Sequence, residues 1–128
     1  MPHITIEFSS NLEAGISAPA LVKKLHQTVI QSGLFEPAAV RTRALPRDLY
    51  LIADGDPRNI FLHIIARIRA GRTIEDRKAL GNSLLQAAKE AIATLPRSTP
   101  IALTVEVHEI DPEMLFRHMT IKSPPETH

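Results

Sequence analysis

At 128 residues, with 44% hydrophobic and 23% charged side chains, the chain has the length and balance of one globular domain, able to bury roughly two-thirds of the surface it exposes unfolded. A formal net charge of +1 speaks against a general nucleic-acid binder, which carries a strongly basic face, and zero cysteines exclude disulfides, thiol catalysis and cysteine metal sites. No apolar run reaches the roughly 18–20 residues of a membrane span, and the chain opens directly into an alternating segment instead of a signal peptide, so a cytoplasmic location is expected.

His3 to Phe8 alternates, with Ile4, Ile6 and Phe8 on one face and His3, Thr5 and Glu7 on the other, the period of a half-buried strand. A helix follows. Ser17 caps it, Pro19 sits in its first turn, Leu21, Val22, Leu25 and Val29 recur at helical spacing, and Gly33 is placed to end it. Val40 to Ala53 reads as strand, interrupted near Pro46, which cannot donate a ladder hydrogen bond. Asp54-Gly55-Asp56-Pro57 is a turn signal.

The order then repeats. Asn59 to Ala70 alternates, with Ile60, Leu62, Ile64, Ala66 and Ile68 on one face, and Gly71 breaks it. Thr73 and Asp76 have capping-box spacing ahead of a helix whose inner stripe is Leu80, Leu84, Ala87, Ala88, Ala91 and Leu95. Pro96 stops that helix, and Ile101 to Ile110 is a last strand, with Leu103, Val105 and Val107 facing one way. Residues 1–122 thus form one domain, and the polar, proline-containing stretch 123–128 reads as a disordered tail.

This β-α-β, β-α-β order defines an α+β fold, a four-stranded mixed sheet with both helices on one face, and the similarity of its halves suggests duplication. Pattern alone leaves open whether it is a ferredoxin-like split βαβ or another two-helix, four-strand sandwich. Either way one sheet face is bare. It carries Phe61 and Ile65 among polar residues, and a half-apolar bare face of this kind calls for a partner subunit.

The chemistry-bearing residues are local. Arg41, Arg43 and Arg47 lie close together, as do Arg67, Arg69 and Arg72, and arginine grips carboxylates through two parallel hydrogen bonds. The six histidines show no metal-ligand spacing, and His63 reads as structural. Glu7, Glu106 and Glu109 read as solvated or interface residues on outer strand positions. Pro2 follows Met1, and methionine aminopeptidase removes an initiator methionine ahead of so small a residue. The product is a secondary amine with an ordinary pKa near 7.7–8.0, which burial and neighbouring cations would shift towards the neutral, basic form. With Met1 attached, the same nitrogen is an amide and has no basicity.

Several ordered pieces carry a family resemblance: Met1-Pro2-His3, Gly33-Leu34-Phe35, Val40-Arg41-Thr42-Arg43, Ala53-Asp54-Gly55, Ala70-Gly71-Arg72, and Val105-Glu106-Val107 with Glu109 beyond. In this order they resemble the 5-carboxymethyl-2-hydroxymuconate isomerase family of the tautomerase superfamily, up to about residue 120. Pro46-Arg47-Asp48 and the C-terminal tail match no piece of it.

The resemblance implies Pro2 as catalytic base, Arg72 as a catalytic and substrate-binding arginine, and Arg41 as a second substrate-binding arginine. It implies no cofactor and no metal, a small carboxylate-bearing substrate, and a homotrimer whose sheets face inward around a barrel, with no nucleic-acid or membrane partner. The implied activity is 5-carboxymethyl-2-hydroxymuconate delta-isomerisation in homoprotocatechuate degradation. The other readings are a tautomerase-fold enzyme for a different 2-hydroxydienoate, a related hydrolytic or decarboxylase activity, and a non-enzymatic trimeric anion-binding module. Arg72, at a strand-to-helix join, is expected to be exposed, so that truncation leaves little cavity.

Overall fold

A computed structural model describes residues 1–123. Its sheet is built from β1 (His3–Ser9), β2 (Arg41–Arg47), β3 (Ile60–Arg69) and β4 (Ile101–Ile110), in the order β2-β1-β3-β4. β1 runs parallel to β2 and β3 parallel to β4, while the two halves join through the antiparallel β1–β3 pair. Each parallel pair is bridged by one helix, α1 (Ala18–Gln31) or α2 (Ile74–Ile92). This is the expected α+β architecture.

The helix starts follow the caps read from the sequence. Ser17 Oγ accepts from the Ala20 amide at 3.2 Å, and Thr73 Oγ1 accepts from the Asp76 amide at 3.1 Å, each satisfying one otherwise orphaned N–H. Gly33 and Gly71, at the ends of α1 and β3, adopt φ of 72° and 119°, a backbone region that only glycine enters without strain.

The core lies between the helices and one sheet face. Ile4, Ile6, Phe8, Leu62, Ile64, Ala66 and Ile68 are fully buried there against Leu21, Leu25 and Val29 of α1 and Leu80, Leu84 and Ala88 of α2. Each such large side chain contributes about 1.5–3 kcal/mol on burial. Leu103, Val105 and Val107 of the edge strand β4 point the same way but are only half-buried.

The opposite face presents His3, Thr5, Glu7, Phe61, His63 and Ile65, and neither helix covers it; among these residues Phe61 is met by Tyr50. The carboxylates there are paired: Glu7 with Arg47 at 2.7 Å, and Glu106 with both His63 and His108. Those two histidine contacts hold the Glu106 carboxyl below its usual range. Glu109 lies instead on the helix side, bonded to Arg77 of α2 at 3.2 Å.

One expected element is shorter than its pattern. The strand read from Val40 to Ala53 ends at Arg47, and residues 48–59 form an irregular loop. Ala53 and Gly55 enter positive φ there, and the carboxylates of Asp54 and Asp56 each accept from a backbone amide two residues on. Asn11 and Asn59 then tie the loop down through backbone carbonyls. Tyr50 packs edge-on against Phe61, leaving Leu49 98% and Leu51 84% exposed. At the other terminus, Ser123 Oγ accepts from the Ala38 amide at 3.1 Å, and the rest of the expected tail lies outside the described residues.

Candidate active site

The topology sends five elements to one end of the sheet. β1 begins there, and its partner register His3↔Arg41 starts β2 beside it. The Arg41 amide donates to the Pro2 carbonyl at 3.1 Å, which extends the ladder onto Pro2. β3, antiparallel to β1, ends at the same place, with Arg67 opposite His3 and Arg69 two residues further. The Gly71 turn then starts α2 there, and β4, parallel to β3, delivers the segment after Ile110 to the same end.

Pro2 is buried, and the amine at the chain start beside it is surrounded by cations. Burial first, then the charges of Arg41, Arg117, Arg69 and Arg72, hold that amine down to about 6. His3 is displaced the same way, by burial and then Arg43. A cavity of about 160 Å³ opens beside Met1, and Phe35, Arg69, Arg72, Arg117 and Met119 are among its walls.

Two of the arginines are held by protein groups. Arg72 donates from Nη2 to the Leu34 carbonyl at 2.8 Å, and its guanidinium lies 4.7 Å from the Phe35 ring centroid. Arg41 donates from Nη1 to the Ala39 carbonyl at 3.2 Å and from Nη2 to Met119 Sδ at 2.9 Å. Arg72 is therefore half-buried and anchored, in place of the exposed position expected from sequence. The reason is Phe35: the loop after α1 sets an aromatic face against the strand-to-helix join.

Of the sequence-identified residues, the structure brings Pro2, Arg41 and Arg72 together. Arg69 joins them from the same cluster, but Arg43 contacts His3 on the bare face, and Arg47 pairs with Glu7 at the far end of β2. Arg117 and Met119 were not foreseen. The available signal was topological: a strand parallel to β3 must release its following segment at the end where β1 begins. A wider groove of about 700 Å³ between α2 and β4 is mainly apolar, with Arg77 and Lys78 its only cations. The smaller site is the one where an amine and four arginines converge, an arrangement suited to deprotonating an acidic, carboxylate-bearing compound and holding the anion that results.

The family described as 5-carboxymethyl-2-hydroxymuconate isomerase matches residues 2–124. A 5-carboxymethyl-2-hydroxymuconate Delta-isomerase of Escherichia coli is 31% identical over 121 residues, which are 94% of this chain and 96% of that protein. The crystal structure of a 5-carboxymethyl-2-hydroxymuconate isomerase from Deinococcus radiodurans R1 superposes with a TM-score of 0.87 at 26% identity, covering 93% of this chain and 90% of the other. A fused 4-OT described as a wild-type symmetric trimer shares the fold, with a TM-score of 0.68, 22% identity and 94% coverage of each chain.

Proposed function

The chain belongs to the 5-carboxymethyl-2-hydroxymuconate isomerase family of the tautomerase superfamily, and from that membership we propose that it is a cofactor-independent isomerase of 5-carboxymethyl-2-hydroxymuconate with Pro2 as its base. The observation that carries this reading is the depressed amine at the start of β1, ringed by Arg41, Arg69, Arg72 and Arg117. With Met1 removed, the Pro2 nitrogen is freed as a secondary amine one residue further in, beside the same arginines. It accepts the proton of the 2-hydroxyl, and the electron pair left behind spreads through the diene as a dienolate. Returning the proton to the far end of the diene gives the conjugated 2-oxo acid, so the base ends as it began and no redox partner is needed. Arg72 faces the developing negative charge, where a preorganised donor lowers the barrier most. Arg41 grips a carboxylate whose charge stays constant through the reaction. On this reading the enzyme works in aromatic catabolism, in the cytoplasmic degradation of homoprotocatechuate.

Protein confirmed by intact mass to start at Pro2 is expected to consume 5-carboxymethyl-2-hydroxymuconate in a spectrophotometric assay, faster than it consumes unbranched 2-hydroxymuconate. Preference for the unbranched dienol would move the assignment to another 2-hydroxydienoate. Binding of dicarboxylates with turnover of neither compound would leave a non-enzymatic anion-binding module.

We also propose a homotrimer closed through the bare sheet face. Two helices cover only the other face, the apolar Phe61 and Ile65 need covering, and a fold relative is described as a symmetric trimer. Sedimentation velocity at low concentration is expected to return three times the chain mass of 14.2 kDa, and a stable, active monomer rules the trimer out.

A further inference from the structure

We propose that Arg117, on the segment that follows β4, receives the third carboxylate of the substrate and so sets a preference for tricarboxylate over dicarboxylate dienols; this rests on the functional reading above. A muconate carries two carboxylates and its carboxymethyl branch a third, so three anionic groups need partners while the amine stays within reach of the diene. Arg41 and Arg72 are both half-buried and anchored to backbone carbonyls beside the amine, which suits the two carboxylates of the conjugated chain. The branch hangs from a flexible methylene on the carbon that receives the proton, which gives its carboxylate the reach to extend beyond the conjugated chain to the rim.

Arg117 is placed at that rim. It lines the cavity while remaining exposed, and among the described residues it makes no hydrogen bond or ion pair, so its guanidinium fork is available to a ligand. The segment bearing it is laid across the mouth by two contacts. Arg41 Nη2 donates to Met119 Sδ two residues beyond Arg117, and Ser123 accepts from the Ala38 amide. Arg69, the other cation of the cavity wall without a partner among the described residues, is fixed to the end of β3, whereas Arg117 rides on the segment that Met119 ties to Arg41 across the mouth. Arg117 is therefore the cation best placed to read the branch.

The test is steady-state kinetics of Arg117→Gln and Arg117→Lys on 5-carboxymethyl-2-hydroxymuconate and on 2-hydroxymuconate. Losing a charge-assisted bond to a carboxylate costs roughly ten- to a hundredfold in affinity. Arg117→Gln is expected to lose that much kcat/KM on the branched substrate, chiefly through KM, with a loss on 2-hydroxymuconate at least tenfold smaller. Arg117→Lys should recover part of the preference. Equal losses on both compounds, or none, overturn the assignment.

Calorimetric binding of tricarballylate and glutarate separates this inference from the functional reading. Wild-type protein is expected to prefer the tricarboxylate, and Arg117→Gln to lose the preference. If neither dienol is turned over while this difference persists, the isomerase reading fails and the role of Arg117 stands. If the two proteins show the same preference, the role of Arg117 fails.

Discussion

Protein that keeps Met1 is expected to isomerise the dienol roughly 10²- to 10⁴-fold more slowly than protein that starts at Pro2, the usual range for losing a positioned general base. Retaining Met1 turns the Pro2 nitrogen into an amide. It also leaves a primary amine in the site, but one displaced by a residue, about 3.8 Å along the chain, and misplacement of even 1 Å can cost about a hundredfold. Intact mass identifies the two forms, and kinetics on each gives the ratio. Full activity in the Met1 form would sink the proline mechanism.

The pH profile adds a second measurement. Burial and four arginines disfavour the ammonium at the chain start and hold it near 6. Once Met1 is removed, burial and these arginines are expected to act on the Pro2 amine in the same direction, lowering its pKa from the ordinary α-amino range. Only the neutral amine accepts a proton. Activity is therefore expected to be lost as pH falls through that lowered pKa, which pH-rate profiles of the Pro2 form measure. Arg41 is the largest charge contribution at the Met1 amine and pairs through its backbone amide with Pro2, so Arg41→Ala is expected to move the acidic limb to higher pH by more than Arg72→Ala does.

Much of the fold was legible because each element has a clean period. Ile60, Leu62, Ile64, Ala66 and Ile68 alternate without a break, and all five are buried on the helix side of β3. The loop at 48–59 was read as strand because Leu49, Leu51 and Ile52 look like strand residues. There the hydrogen bonds of Asp54, Asp56 and Asn59 outweigh apolar content, and exposed Leu49 and Leu51 have no core to enter.

The site was legible in part for a similar reason. Period two puts Arg41, Arg43 and Arg47 on one sheet face, as the cluster suggested, yet a rise of about 3.3 Å per residue spreads them along β2, so only Arg41 reaches the end where Pro2 lies. Arg117 lies 115 positions after Pro2 and on no regular element. Its place depends on the direction of β4 and on the contacts of Met119 and Ser123, which spacing alone does not encode.

Arg72→Ala is expected to lower kcat on the order of 10²- to 10³-fold, as removal of a donor aimed at a developing oxyanion does. Arg41→Ala should instead act mainly on KM, because a contact equal in ground and transition states contributes binding without speeding the chemical step. The anchoring of Arg72 complicates a simple truncation. Alanine leaves the Leu34 carbonyl without its donor and uncovers the Phe35 ring, at a stability cost on the order of 1 kcal/mol in this half-exposed position. A domain of this size has several kcal/mol in hand, so the variant remains folded at 25 °C and its kinetics report on catalysis. Arg72→Lys supplies the control: it keeps the positive charge but loses the planar fork that bonds Leu34 and stacks on Phe35 at once. If charge near the dienolate is what matters, lysine recovers much of kcat. If the fork's fixed direction matters, lysine stays close to alanine. Wild-type kcat and KM in both Arg72→Ala and Arg41→Ala, with unchanged circular dichroism, would remove both arginines from the mechanism.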